Sequence, residues 1–175
     1  MKQIYIVLTH TGTTLSKIIK TYTRAEFSHI SISLDEELNN MYSFGRLNPY
    51  NPFIGGFVHE YISKGTFKRF KNTWPSVYEL DVTDEQYEII EKIIEKFKNQ
   101  KDELKFNIIG LFAVAFNKKI KFENSYYCAE FVKFLMEKAK IKNELPEIIK
   151  PEDFKHVEGL KPLYSGLLRE YKLAV

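Results

Sequence analysis

The single cysteine of the chain, Cys128, stands in Ser125-Tyr126-Tyr127-Cys128-Ala129-Glu130-Phe131-Val132. Asn124 or Ser125 can cap a helix running to about Lys140, with Phe131, Leu135 and Ala139 on its inner face beside Cys128. A thiol in the first turn of a helix lies near unpaired backbone amides and the positive end of the helix dipole. Those surroundings favour thiolate over thiol, and thiolate is the nucleophile. The same amides can hold an oxyanion that develops on an attacked carbonyl. The plain alternative is a buried core cysteine acting as a small hydrophobe.

A nucleophilic thiol needs a base. His29 opens a stretch in which Ile30, Ile32 and Leu34 face one way and His29, Ser31 and Ser33 the other. An imidazole on the polar face of such a strand can take the thiol proton and return it to a leaving group. His10 at a strand end and His156 in a late loop have no patterned context. His59, in an expected strand beside Glu60, is the serious rival. A third polar group would hold the imidazole in place. Ser43, on the strand after His29 and facing the same side, is the first choice, and Glu60 is second but chemically better, because a carboxylate stabilises imidazolium. Tyr126 and Tyr127, next to the sulfur in sequence, are the candidates to touch substrate or lend a hydroxyl to the thiolate.

These residues need elements to position them. Residues 4–9 read as a buried strand and 14–23 as a short helix with Leu15, Ile18, Ile19 and Tyr22 at helical spacing. Residues 29–34 and 41–45 make a hairpin across the turn-rich 35–40. Residues 46–56, with two prolines and several turn signals, read as a loop. Strands are expected at 57–63 and 76–82. Thr83 with Gln86 forms a capping-box pattern opening a helix to about Asn99, with Tyr87, Ile90, Ile94 and Phe97 as its buried stripe. Residues 104–117 are apolar and aromatic and fit either a helix or an irregular pocket wall. Pro151 opens a short helical turn, and 167–173 can return as an edge strand. Strands followed by helices, the last carrying the cysteine, indicate an α+β domain.

A chain of 175 residues fits one domain and can bury a core without a disulfide or metal. One cysteine allows no internal disulfide. The net charge of +3, with both signs mixed, gives no concentrated basic face of the kind nucleic acid requires. The densest basic stretch, Lys64, Lys68, Arg69 and Lys71, reads as a solvated loop or edge strand. The segment starting MKQIYIVLTHTG lacks a signal-peptide h-region and cleavage site, and no apolar run approaches a membrane span, so the expected compartment is the cytoplasm. There is no paired-cysteine metal site, phosphate loop or His-x-x-x-His helix, so no cofactor is called for.

Three segments carry a family resemblance: Phe27-Ser28-His29-Ile30-Ser31-Ile32-Ser33-Leu34-Asp35, Met41-Tyr42-Ser43-Phe44-Gly45-Arg46 and Tyr126-Tyr127-Cys128-Ala129-Glu130-Phe131-Val132. The chain resembles the permuted papain-like enzymes of the YaeF/YiiX group in the NlpC superfamily, and is similar in layout to the lecithin retinol acyltransferase family. In that group the histidine strand precedes the cysteine helix, the reverse of the ordinary papain order. The resemblance covers about residues 4–140, leaving 141–175 as an extension of a single domain. It implies a circularly permuted papain-like fold, a small antiparallel sheet or barrel packed on the cysteine helix. It also implies Cys128 as nucleophile and His29 as base, acting on a peptide or acyl substrate at an amide or ester carbonyl through an acyl-thioester. Related enzymes place a histidine or carboxylate third, whereas the hairpin partner here offers Ser43. The alternatives are an acyl-lipid thiol hydrolase or acyltransferase, a non-catalytic papain-like binding domain, and a scaffold in which Cys128 is only core.

Overall fold

The computed structural model describes residues 1–10 and 26–171. The helix expected over 14–23 lies outside them. The chain forms strands β1 (Lys2–His10), β2 (His29–Ser33), β3 (Met41–Asn48) and β4 (Asn51–Glu60), a short helix α1 (Gly65–Arg69), strand β5 (Trp74–Val82) and helix α2 (Asp84–Asn99). There follow β6 (Lys105–Phe106), α3 (Ile108–Ala115), β7 (Ser125–Tyr126), α4 (Cys128–Lys138) and β8 (Lys161–Ser165). The fold is α+β. Its main sheet has six strands in the order β4-β3-β2-β1-β5-β8, every neighbouring pair antiparallel.

β1 is central and apolar on both sides because both sides are covered. Ile4, Ile6 and Leu8 join Ile30, Ile32, Tyr42, Phe44 and Phe57 in the larger core, which α2 and α4 close with Ile90, Ile94, Phe97, Phe131 and Leu135. Tyr5 and Val7 join Met41, Val77 and Phe67 in a second cluster completed by Leu168 and Tyr171. The polar face of β2 is therefore not a solvent face: Ser31 and Ser33 are both 0 % exposed. Ser33 donates to the Asp35 carbonyl at 2.9 Å, which satisfies the hydroxyl.

α2 forms where its sequence places it. Gln86 N–H donates to Thr83 Oγ1 at 3.1 Å and Thr83 N–H to Gln86 Oε1 at 2.9 Å, the reciprocal bonds of a capping box. Ile90, Ile94 and Phe97 are buried, while Tyr87 is half-buried and sends its hydroxyl to the Leu34 carbonyl at 3.0 Å. The ambiguous 104–117 segment resolves as helix α3, capped by Asn107.

Three expectations are corrected. Residues 46–56 are not a loop: β3 continues to Asn48 and β4 begins at Asn51, around a turn in which Tyr50 N–H donates to Asn48 Oδ1 at 2.8 Å. The ladder tolerates the proline because β4 is the sheet edge, and the glycines have a packing reason. A Cβ on Gly55 would sit 2.8 Å from the Phe106 ring, so glycine there lets β6 approach the edge. Neither Asn124 nor Ser125 caps the cysteine helix; Ser125 and Tyr126 instead pair in parallel with Lys105 and Phe106, which moves the N-cap to Tyr127. The edge strand expected over 167–173 is displaced upstream to β8, and Leu168–Glu170 is a 3-10 turn.

The basic stretch around Lys68 and Arg69 forms α1. Residues beyond 140 complete the sheet and the core, since Ile149, Phe154 and Val157 are buried in the larger cluster. Among the described residues no helix is long and apolar enough to cross a membrane.

Candidate active site

His29 is the first residue of β2 and Cys128 the first of α4. They meet at the end of the sheet rather than across its face. β1 fixes the position of His29 through the Thr9–His29 register, and Ser28 N–H donates to the Thr9 carbonyl at 3.1 Å. The Glu152 carboxylate accepts the amides of Glu26 and Phe27 at 3.1 and 3.2 Å. The 3-10 turn Pro151–His156 thereby anchors the chain's entry into the histidine strand.

The imidazole stands between a carboxylate and a thiol. Its Nε2 lies 3.0 Å from Glu60 Oε1 and 3.3 Å from Oε2. The Cys128 thiol lies near enough to the ring to favour its charged form. Burial alone lowers the histidine's affinity for a proton; the Glu60 carboxylate overrides that, and together with the hydrogen bonds from Cys128 and Glu60 it pushes His29 up to about 10. His29 and Glu60 are 18 % and 9 % exposed, so the pair is screened little by solvent.

Glu60 reaches the ring through the β3–β4 register, which sets it opposite Met41 and on the side that faces His29. Gly45 keeps that space open: a Cβ there would touch His29 Cε1 at 3.4 Å and Glu60 Oε1 at 3.6 Å. Ser31, two residues from His29 on the same side, donates to Glu60 Oε2 and lies 3.4 Å from His29 Nε2. It fixes the carboxylate that fixes the imidazole. The alternation of β2 placed Ser31 on the right face, but nothing in the sequence tied it to Glu60.

Ser43 does not fill the third position. Its hydroxyl is 0 % exposed and donates to the Ile30 carbonyl at 2.7 Å, stitching β3 to β2 from within. His59 is committed elsewhere, with Nε2 donating to the Asn39 carbonyl at 2.8 Å and Nδ1 accepting from Tyr61 at 2.9 Å. Its ring also stacks on Tyr42. His156 is exposed at the end of its turn. The two tyrosines before the cysteine serve packing. Tyr126 lies among Phe44, Phe97 and Phe134, and Tyr127 donates its hydroxyl to the Ile149 carbonyl at 3.0 Å, with burial raising its phenol well above the ordinary value.

The start of α4 is open on its amide side. The first internal helix bond runs from Phe131 N–H to the Tyr127 carbonyl at 3.1 Å, so the amides of Cys128, Ala129 and Glu130 have no acceptor within the helix. Glu130 reaches back to the Tyr127 amide at 3.2 Å, and burial raises its carboxyl above the usual range. Asn107 supports this turn from below. Its Oδ1 caps α3 through Gly110 N–H at 2.8 Å, and its Nδ2 donates to the Ile120 carbonyl at 2.8 Å and to Glu130 Oε2 at 3.4 Å.

Beside Tyr127, Phe27, Ser28, Leu111 and Val114 form a small, mostly apolar notch. On the Glu60 side a cleft of about 180 Å³ runs between Arg46, Val58, Tyr61 and Lys64. Among the described residues no group of three or more His, Cys, Asp or Glu could hold a metal ion. No family model, curated protein or solved structure matches the chain.

Proposed function

We propose that the chain is a cysteine hydrolase of the permuted papain-like kind, cleaving an amide bond through an acyl-thioester. The observation that carries this reading is the line Glu60–His29–Cys128, a carboxylate holding one imidazole nitrogen while the ring meets a thiol at a helix start. The permuted order, histidine strand before cysteine helix, accords with it.

In this mechanism Nδ1, the ring nitrogen that Glu60 does not engage, takes the thiol proton. The resulting imidazolium is held by Glu60, and the sulfur is left as the nucleophile. Sulfur attacks the substrate carbonyl, and the oxyanion is met by the open amides of the first helix turn. The tetrahedral intermediate collapses with the proton passing from His29 to the leaving amine. Water, deprotonated by His29, then releases the acyl group and restores the thiol. The buried hydroxyls Thr9 Oγ1 and Ser28 Oγ, on residues that adjoin His29, have no hydrogen-bond partner among the described residues.

The test is alkylation. Iodoacetamide should label Cys128 rapidly at neutral pH, with the rate falling at least about tenfold in His29→Ala. A rate matching a free thiol in both proteins would refute the proposal.

A further inference from the structure

Half of the large apolar side chains exposed among the described residues fall in one short stretch: Ile109, Phe112, Phe116, Ile120 and Phe122, with Phe116 at 70 %. The first three recur at helical spacing, so Ile109 and Phe112 on α3 and Phe116 at its C-cap form one stripe, opposite the buried Leu111 and Val114. The loop after α3 folds back on it. Lys118 N–H donates to the Ala113 carbonyl at 3.0 Å, and Asn107 holds the Ile120 carbonyl, which lies 2.6 Å from where a Gly110 Cβ would be. Ile120 is thereby brought to the first turn of the helix.

Positive charge predominates around this surface. Residues 104–122 contain Lys105, Lys118, Lys119 and Lys121 and no acidic residue; the acids at the border are Asp102, Glu103, Glu123 and Glu147. Glu147 pairs with Lys119 at 2.8 Å. Lys118 and Lys121 are exposed and enter no ion pair among the described residues. A concentrated apolar surface marks a partner, and phenylalanines rimmed by lysines on a short helix match the interface of an anionic bilayer, where rings enter the acyl boundary and ammonium groups meet lipid phosphates.

We infer that the α3 face is a docking surface for an anionic membrane. Leu111 and Val114, on the opposite side of α3, line the notch beside Tyr127, so docking sets the proposed active site next to the bilayer.

The experiment is sedimentation of the full chain with vesicles of phosphatidylcholine alone and of phosphatidylcholine with phosphatidylglycerol in equal parts. The protein should pellet with the anionic vesicles, at least about tenfold more strongly than with neutral ones, and less at high salt. Phe112→Ser with Phe116→Ser should abolish pelleting, and Lys118→Glu with Lys121→Glu should weaken it about tenfold or more. These positions are exposed, so circular dichroism should show both variants folded. Failure to bind either vesicle, equal binding of both, or unchanged binding by the phenylalanine variant overturns the inference. So does a concentration-dependent dimer, dispersed by that variant, in a protein that ignores lipid. Cys128→Ser should bind as the parent does; vesicle binding without any reactive thiol would leave this inference standing while removing the proposed hydrolase.

Discussion

At His29 two effects of opposite sign compete. Burial removes hydration from the imidazolium and lowers its pKa; a carboxylate at 3.0 Å raises it and prevails. Glu60→Gln keeps the shape and removes the charge, so burial should then govern. The His29 titration, followed by proton NMR of the ring, is expected to move down from about 10, and the pH profile of Cys128 alkylation should move with it. A titration left in place would mean that Glu60 does not hold the proton. Ser43→Ala should behave differently, costing about 1 kcal/mol in urea unfolding through the lost bond to the Ile30 carbonyl, with no effect on that titration. Ser43 and Glu60 were both readable as candidates. Choosing between them needed the β3–β4 register, because that pairing decides which strand residue reaches the ring.

Among the elements, those with local signals formed where the sequence marked them. The Thr83–Gln86 capping box and apolar stripe of α2 are complete within one segment. α3 was ambiguous because it is apolar nearly all round, leaving its periodicity little contrast; Asn107 decides it by capping. Asn107 also ties the loop after α3, through the Ile120 carbonyl, to the first turn of α4. Asn107→Ala should therefore cost about 2 kcal/mol, a cap plus the bond to the Ile120 carbonyl. Thr83→Ala, which removes a more exposed cap, should cost about 1 kcal/mol. Urea denaturation measures both, and equal losses would show that Asn107 is only a cap. The cysteine helix starts later than its capping residues suggested because β7 claims Ser125 and Tyr126 for a parallel pair with β6, a partnership made across some twenty residues of chain.

For the whole molecule, the proton on His29 links folding to pH. Its folded value lies above the ordinary value of 6.5. The native state therefore binds a proton that the unfolded chain has lost, and the associated stability is full below about 6.5 and disappears as pH rises through about 10. Tyr5, raised to about 12, and the buried Tyr127 and Tyr171 add losses only above the ordinary tyrosine value of 10.0. Between pH 7 and 9.5 the urea midpoint of the parent should fall, and that of Glu60→Gln should be nearly flat; parallel slopes would exclude the His29–Glu60 pair as the source. The sequence by itself determined the α+β class, the buried β1, the capped α2 and the helix bearing Cys128, because apolar period and capping chemistry act within a few residues. Tertiary structure alone decided that β3 and β4 extend through most of residues 46–56 around a short turn, that the serine face of β2 is buried beneath a second cluster, and that Glu60 rather than Ser43 meets His29. The physical reason is common to all three: strand pairing and burial depend on residues far apart in the chain, and a slip of one residue in register would turn Glu60 to the other face of the sheet.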